Sequence, residues 1–143
     1  MKEAVAKKKP VIGLETVASQ MAVIDSKPIE KQAEELYELA KDPDKGIGHL
    51  KKLMGVYKLR DADKLFDLTE EMMTKDREFQ AKLLDDRNRA WIPKLETAFK
   101  EKPTFVAVGA GHLGGKNGVI RLLRKRGYKV TPVTLGPVTA GDN

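Results

Sequence analysis

Residues 105–130 read FVAVGAGHLGGKNGVIRLLRKRGYKV. An apolar run from Thr104 to Val108 leads into a loop holding Gly109, Gly111, Gly114, Gly115 and Gly118, with His112, the second of the chain's two histidines, among them. A short apolar run bounded by turn residues suits a buried strand. Asn117 is placed to cap a helix bearing Val119, Ile120, Leu122 and Leu123, Gly127 ends that helix, and Tyr128 to Val133 reads as the next strand. Two strands joined through a helix pair in parallel by a right-handed crossover.

Working outward, Lys75 to Phe99 spaces Phe79, Leu83, Leu84, Trp91, Leu95, Ala98 and Phe99 as one helical face that also holds Arg87, and Pro93 predicts a kink. Asp61 to Met73 carries Leu65, Phe66, Leu68 and Met72 as a shorter helix. Leu50, Leu53 and Met54 face inward in another, which follows the breaker DPDKGIG. Pro28 to Ala40 places Ile29, Ala33, Leu36, Tyr37 and Ala40 on one face, with Pro28 in the first turn. Pro10 to Leu14 reads as a buried strand with Glu15 at its carboxyl end. The expected architecture is therefore α/β: a small, largely parallel sheet with a helical insertion, over residues 1–135, and a flexible tail over 136–143. Three strands leave open sheet edges, so the sheet reads as incomplete, to be finished by a second copy or by an absent amino-terminal half.

The composition bounds the chemistry. At 143 residues the chain amounts to one domain, and 41% hydrophobic with 34% charged residues is ordinary for a globular protein. No window approaches the roughly 20 apolar residues of a membrane span, and the opening MKEAVAKKKPVIGLE lacks a secretory h-region. The chain as it stands reads as cytoplasmic, a reading that an upstream signal would change to secreted or periplasmic. The absence of cysteine removes disulfides, thiolate metal sites and a cysteine nucleophile. A net charge of +6 raises nucleic acid as a partner, but the bases are dispersed among 21 acids, so a solvated surface is the expectation and no nucleic acid.

Gly109, Gly111 and Gly114 satisfy G-x-G-x-x-G after the expected strand. A dinucleotide fold needs its helix to begin within the glycines and an acid about 20 residues on, and neither is present. AGHLGGKN fails as a P-loop, with alanine for the first glycine and asparagine in place of the magnesium-binding hydroxyl. No nucleotide is expected. The glycines instead either aim His112, a metal ligand or general base, into the crevice at the sheet's carboxyl end, or serve only a surface turn. Glu15 at a neighbouring strand end shares that rim, or is a solvated acid ahead of a helix capped by Thr16. Arg87 either snorkels to water or, if buried, requires a carboxylate, for which Glu15 is the partner to name.

VIGLETVASQ (11–20), LLDDRNRAWIPKL (83–95) and the segment 105–130 together resemble the TraB/PrgY/GumN family, which includes the Tiki proteases. VYKLRDADKLFDL (56–68) resembles it more weakly, with Asp61 or Asp63 near the family's acid. The resemblance implies an α/β fold shared with the erythromycin-esterase and ChaN-like proteins, and a hydrolase-type site built from two G-x-x-H motifs, a glutamate and an arginine. Tiki members are manganese- or cobalt-dependent metalloproteases; many bacterial members have no established activity. Carried over, the glutamate is Glu15, the arginine Arg87 and the second G-x-x-H Gly109 to His112. This implies His112 and Glu15 as ligands of a divalent metal (Mn, Co or Zn), Arg87 and Glu15 as catalytic groups, Gly109, Gly111 and Gly114 as the binding loop, and a peptide or small molecule as substrate. The first G-x-x-H has no counterpart after an early strand. Gly46 to His49 (GIGH) spells the pattern in an inter-helix stretch and reads as coincidence, so the chain corresponds to the family's carboxyl-terminal half. The alternative is a non-catalytic module that recognises a peptide or small signal.

Overall fold

The computed structural model describes residues 2–73 and 76–133. The expected tail over 136–143 lies outside them.

The α/β expectation is overturned: the described residues are helical and hold no strand. Eight α-helices follow in order: α1 Lys2–Ala6, α2 Val17–Asp25, α3 Ile29–Lys41, α4 Pro43–Lys58, α5 Ala62–Met72, α6 Arg77–Gln80, α7 Arg87–Glu101 and α8 Val119–Lys125. A π-helical segment, Ala81–Asp86, joins α6 to α7, and a single 3₁₀ turn spans Ala110–His112. The three expected strands, Pro10 to Leu14, Thr104 to Val108 and Tyr128 to Val133, are irregular connections. A strand exists only through a laddered neighbour. Here every backbone-to-backbone hydrogen bond outside the helices joins residues close in sequence. Nor did apolar content translate into burial on both faces. Val106 and Val108 pack on the core, whereas Phe105 is 93% exposed, and Val11 and Ile12 also face solvent. The parallel sheet of a ChaN-like or erythromycin-esterase-like fold is therefore not what organises this chain.

The core lies between α7 and α8. Trp91, Ile92 and Leu95 from α7 meet Val119 from α8, with Leu14, Phe99, Val106, Val108, Leu122 and Leu123 around them. Full burial of each large apolar side chain contributes about 1.5–3 kcal/mol, so this small cluster carries much of the fold's stability. α5 adds Leu65 and Leu68 and packs on α4 and on the 3₁₀ turn. The α3–α4 hairpin lies outside this core. Ile29, Leu36, Tyr37, Leu50 and Met54, expected inside, are exposed, because α3 packs chiefly on α4 and α5 covers only part of α4. Met72 of α5 is exposed as well.

Local chemistry sets the helix ends. Thr16 and Ser19 form a capping box at the start of α2, each side chain taking the other's backbone N–H. Asp42 accepts from Lys45 N at 3.0 Å with Pro43 following, so α4 starts there and absorbs the GIGH stretch that composition had assigned to a break. Asp61 caps α5 through Asp63 N and Lys64 N. Asn117 does not cap α8; Gly118 holds that position without a side-chain bond. Gly127, at φ 90°, ends α8 as expected. α7 runs through Pro93, while the departure from α geometry falls earlier, at 81–86. Lys27, between α2 and α3, ties both to the start of α6 by pairing with Glu35 at 2.5 Å and Asp76 at 3.2 Å. No helix among the described residues is long and apolar enough to cross a membrane.

Candidate functional site

Three of the sequence-predicted residues gather around one indole. Glu15 sits immediately before the Thr16 cap, and its carboxylate accepts from Arg87 at both oxygens, Nε to Oε2 at 3.0 Å and Nη2 to Oε1. Gln20 Nε2 adds a third bond to Oε1 at 2.8 Å. The two charged side chains are 13% and 19% exposed, so of the two outcomes open for Arg87 the structure shows the paired one. The pair is screened far less than a surface pair would be. The Arg87 hydrogen bonds, and secondarily its charge, hold the Glu15 carboxyl below its ordinary range against an opposing effect of burial.

Arg87 begins α7 directly after the π-helical segment, and its Nη1 donates to Leu83 O at 2.8 Å within that segment. π-turns widen the helix by one residue and recur where side chains must be re-aimed. From this start Arg87 lies over the Trp91 ring, 5.3 Å from its centroid, and the His112 imidazole tilts against the same ring at 4.6 Å. Trp91 Nε1 is a buried side-chain donor without a hydrogen-bond partner among the described residues.

His112 closes the 3₁₀ turn, its N–H donating to Gly109 O at 2.9 Å, and is 8% exposed. Burial first, and then the nearby Arg87 charge, push its pKa below the ordinary value; Glu15 opposes them. The ring is therefore neutral around neutral pH. Its Nδ1 lies 2.7 Å from Asn88 Oδ1, and Asn88 Nδ2 donates to Asn117 O at 2.9 Å. Asn117 Nδ2 in turn donates to Asp85 Oδ2 at 2.6 Å. Asn88, next to Arg87 and only 2% exposed, is the residue that sequence reasoning missed. Its place in the family-like stretch 83–95 did not set it apart, because an amide carries neither a charge nor an apolar period.

The glycines divide by role. A Cβ on Gly114 would lie 2.0 Å from Ala62 O, so this glycine is what lets the loop approach the start of α5; Gly115 has φ 76° and faces the Phe66 ring. Gly109 and Gly111 are under no such constraint. Asp63 secures the loop, accepting from Gly115 N at 2.9 Å and from Arg121 Nη2 at 3.1 Å. Arg124 donates to Val130 O, so two of the basic side chains that raised nucleic acid as a partner are used within the fold. His49 of the GIGH stretch is exposed on α4.

A cleft of about 560 Å³ opens beside the ion pair, bordered by Glu15, Thr16, Ser19, Arg87, Trp91 and Lys94. A second hollow of about 280 Å³ lies under Ala110 and Gly111, walled by Leu53, Tyr57 and Leu65.

The family model for TraB/PrgY/gumN matches residues 1–132. The chain belongs to the TraB/PrgY/gumN family. No curated protein and no solved structure matches it. Membership in TraB/PrgY/gumN makes the fit of a divalent ion the next question, and the donor set answers it. Both Glu15 oxygens are engaged by Arg87, and among the described residues no three His, Cys, Asp or Glu side chains gather to hold a metal. Catalytic metal sites take about three protein ligands. The residues described here do not by themselves fit the ion.

Proposed function

We propose that the chain carries a hydrolase-type site of the TraB/PrgY/gumN family, in which His112 accepts a proton from the attacking water and Arg87, held by Glu15, faces the charge that develops on the substrate's carbonyl oxygen. The observation that supports this reading is the meeting of Arg87 and His112 on the Trp91 indole, with Glu15 fixing the guanidinium. A neutral, partly sealed imidazole is a competent base near neutral pH. A fixed guanidinium in a low-dielectric setting stabilises an oxyanion without reorganising. The substrate class is a peptide or a small amide or ester.

The proposal includes the assignment of this chain to the family's carboxyl-terminal half. Metal dependence (Mn, Co or Zn) belongs to it only with ligands from outside the described residues, contributed by the amino-terminal half or a second copy.

The test is hydrolysis of fluorogenic peptides and esters by the chain, alone and with a family amino-terminal half supplied, with and without Mn²⁺, Co²⁺ and Zn²⁺. The expected result is turnover that His112→Ala lowers about a hundred- to ten-thousand-fold. Absence of turnover in every combination overturns the reading. A second reading, a non-catalytic module for a peptide or small signal, is favoured by the saturation of Glu15, which leaves the carboxylate little capacity for chemistry. Saturable peptide binding at the cleft without turnover would establish it.

A further inference from the structure

We propose that Asn88 is a positioning residue that fixes the tautomer of His112, with the proton on Nδ1 and the lone pair on Nε2. The donor and acceptor roles close in one way only. A backbone carbonyl accepts and never donates, so the end of the Asn88 amide facing Asn117 O at 2.9 Å is the NH₂. That turns Oδ1 toward His112, 2.7 Å from Nδ1. An amide oxygen also only accepts, so Nδ1 is the nitrogen that carries hydrogen.

The surroundings remove the alternatives. Asn88 is 2% exposed, which leaves its amide no water with which to exchange partners, and a reversed amide would set two oxygens against each other. The Asn117 carbonyl is held in place because the Asn117 side chain is anchored to Asp85 at 2.6 Å. His112 Nε2 makes no hydrogen bond among the described residues and is not among the buried atoms sealed from solvent.

Free histidine in water prefers the opposite form, with the proton on Nε2, so Asn88 works against the intrinsic preference. An Nε2 that carried hydrogen could neither take a proton nor coordinate a cation. The chemical use of the free Nε2 rests on the function proposed above; the tautomer itself does not.

The test is ¹⁵N-labelled imidazole NMR on the full chain, above the ring's titration, where a protonated ring nitrogen and one with a lone pair resonate far apart. The expected spectrum of the wild type has Nδ1 protonated and Nε2 unprotonated. Asn88→Leu, which removes the acceptor, should lose this preference and return the ring to a mixture dominated by the Nε2–H form. A wild-type ring protonated on Nε2 overturns the proposal and needs no variant to fold. So does an Asn88→Leu ring that keeps the wild-type form. Loss of the proposed hydrolysis with the wild-type tautomer intact would count against the proposed function and leave this assignment standing.

Discussion

Glu15 and Arg87 stand 72 positions apart in the chain and meet as a two-point ion pair at the edge of the core. The pair joins the entry of α2 to the first residue of α7, beside the packing of Leu14 on the core and the bond from Lys94 Nζ to Leu14 O. Removing one member of a largely desolvated pair leaves an uncompensated charge, whereas removing both does not. Arg87→Met and Glu15→Gln should each destabilise the chain by about 2–4 kcal/mol, and the double variant should fall short of their sum by about 1–3 kcal/mol. Denaturant unfolding of the four proteins measures this. Additive losses would show that the two side chains do not act together.

Acid should weaken the fold in two stages. His112 has a lowered pKa in the folded chain, so below its ordinary value of 6.5 the unfolded chain binds the proton that the folded chain refuses, and stability falls with pH. Glu15 is lowered too, mainly by Arg87, so its contribution is present above its ordinary value of 4.5 and is lost as pH falls through the folded value. Both signs agree: stability declines from about neutral pH downward, with a second stage in the carboxylate range. His112→Gln should flatten the first stage and leave the second. A chain whose unfolding midpoint is level from neutral pH to the carboxylate range would contradict the buried neutral ring.

The glycine loop should tolerate substitution at one end and not at the other. Gly114→Ala drives a methyl into Ala62 O, and Gly115→Ala adds the cost of a left-handed residue to contact with Phe66. Each should destabilise by about 2 kcal/mol or more. Gly111→Ala meets open space and should change stability by less than about 0.5 kcal/mol. Thermal unfolding midpoints of the three variants test the division.

Trp91 serves packing through its ring and leaves its N–H unpaired. Trp91→Phe removes that orphan donor with part of the ring and should cost less than about 1.5 kcal/mol. Trp91→Ala should cost about 3–5 kcal/mol and release both neighbours of the indole, visible as a changed His112 ring spectrum. Equal losses in the two variants would mean that the N–H is bonded after all.

Helices were more legible in the sequence than the rest of the fold, because periodicity reports an amphipathic face and caps report an end. The stretches Pro28 to Ala40 and Asp61 to Met73 lie within a residue or two of α3 and α5, and Gly127 ends α8. The apolar runs misled. Pro10 to Leu14, Thr104 to Val108 and Tyr128 to Val133 have the composition of buried strands, but composition cannot supply the neighbour that makes a ladder, and none pairs. Periodicity also could not say which apolar faces would find a cover, so the α3 and α4 faces were placed inside when they are out. α2 went unassigned because its apolar residues follow no single face; the Thr16 box that starts it was visible only as a bare option. In the site, the sequence left Arg87 open between solvent and burial, and named Glu15 as its partner only for the buried case. Asn88 was not legible, since a buried amide has no charge or period to betray it.

The widened turn at 81–86 also fixes a rotational phase. Each α-helical residue advances the side-chain direction by about 100°, so deleting one residue from this turn would restore regular geometry and swing everything upstream of it by about that angle relative to α7. The grip of Lys27 on Asp76 and that of Arg87 on Glu15 lie on opposite sides of the turn, and both reach back to the same short α2 region. With one residue fewer, only one of the two could close, so the count of residues in that turn, more than their identity, keeps both ends of the clasp in register.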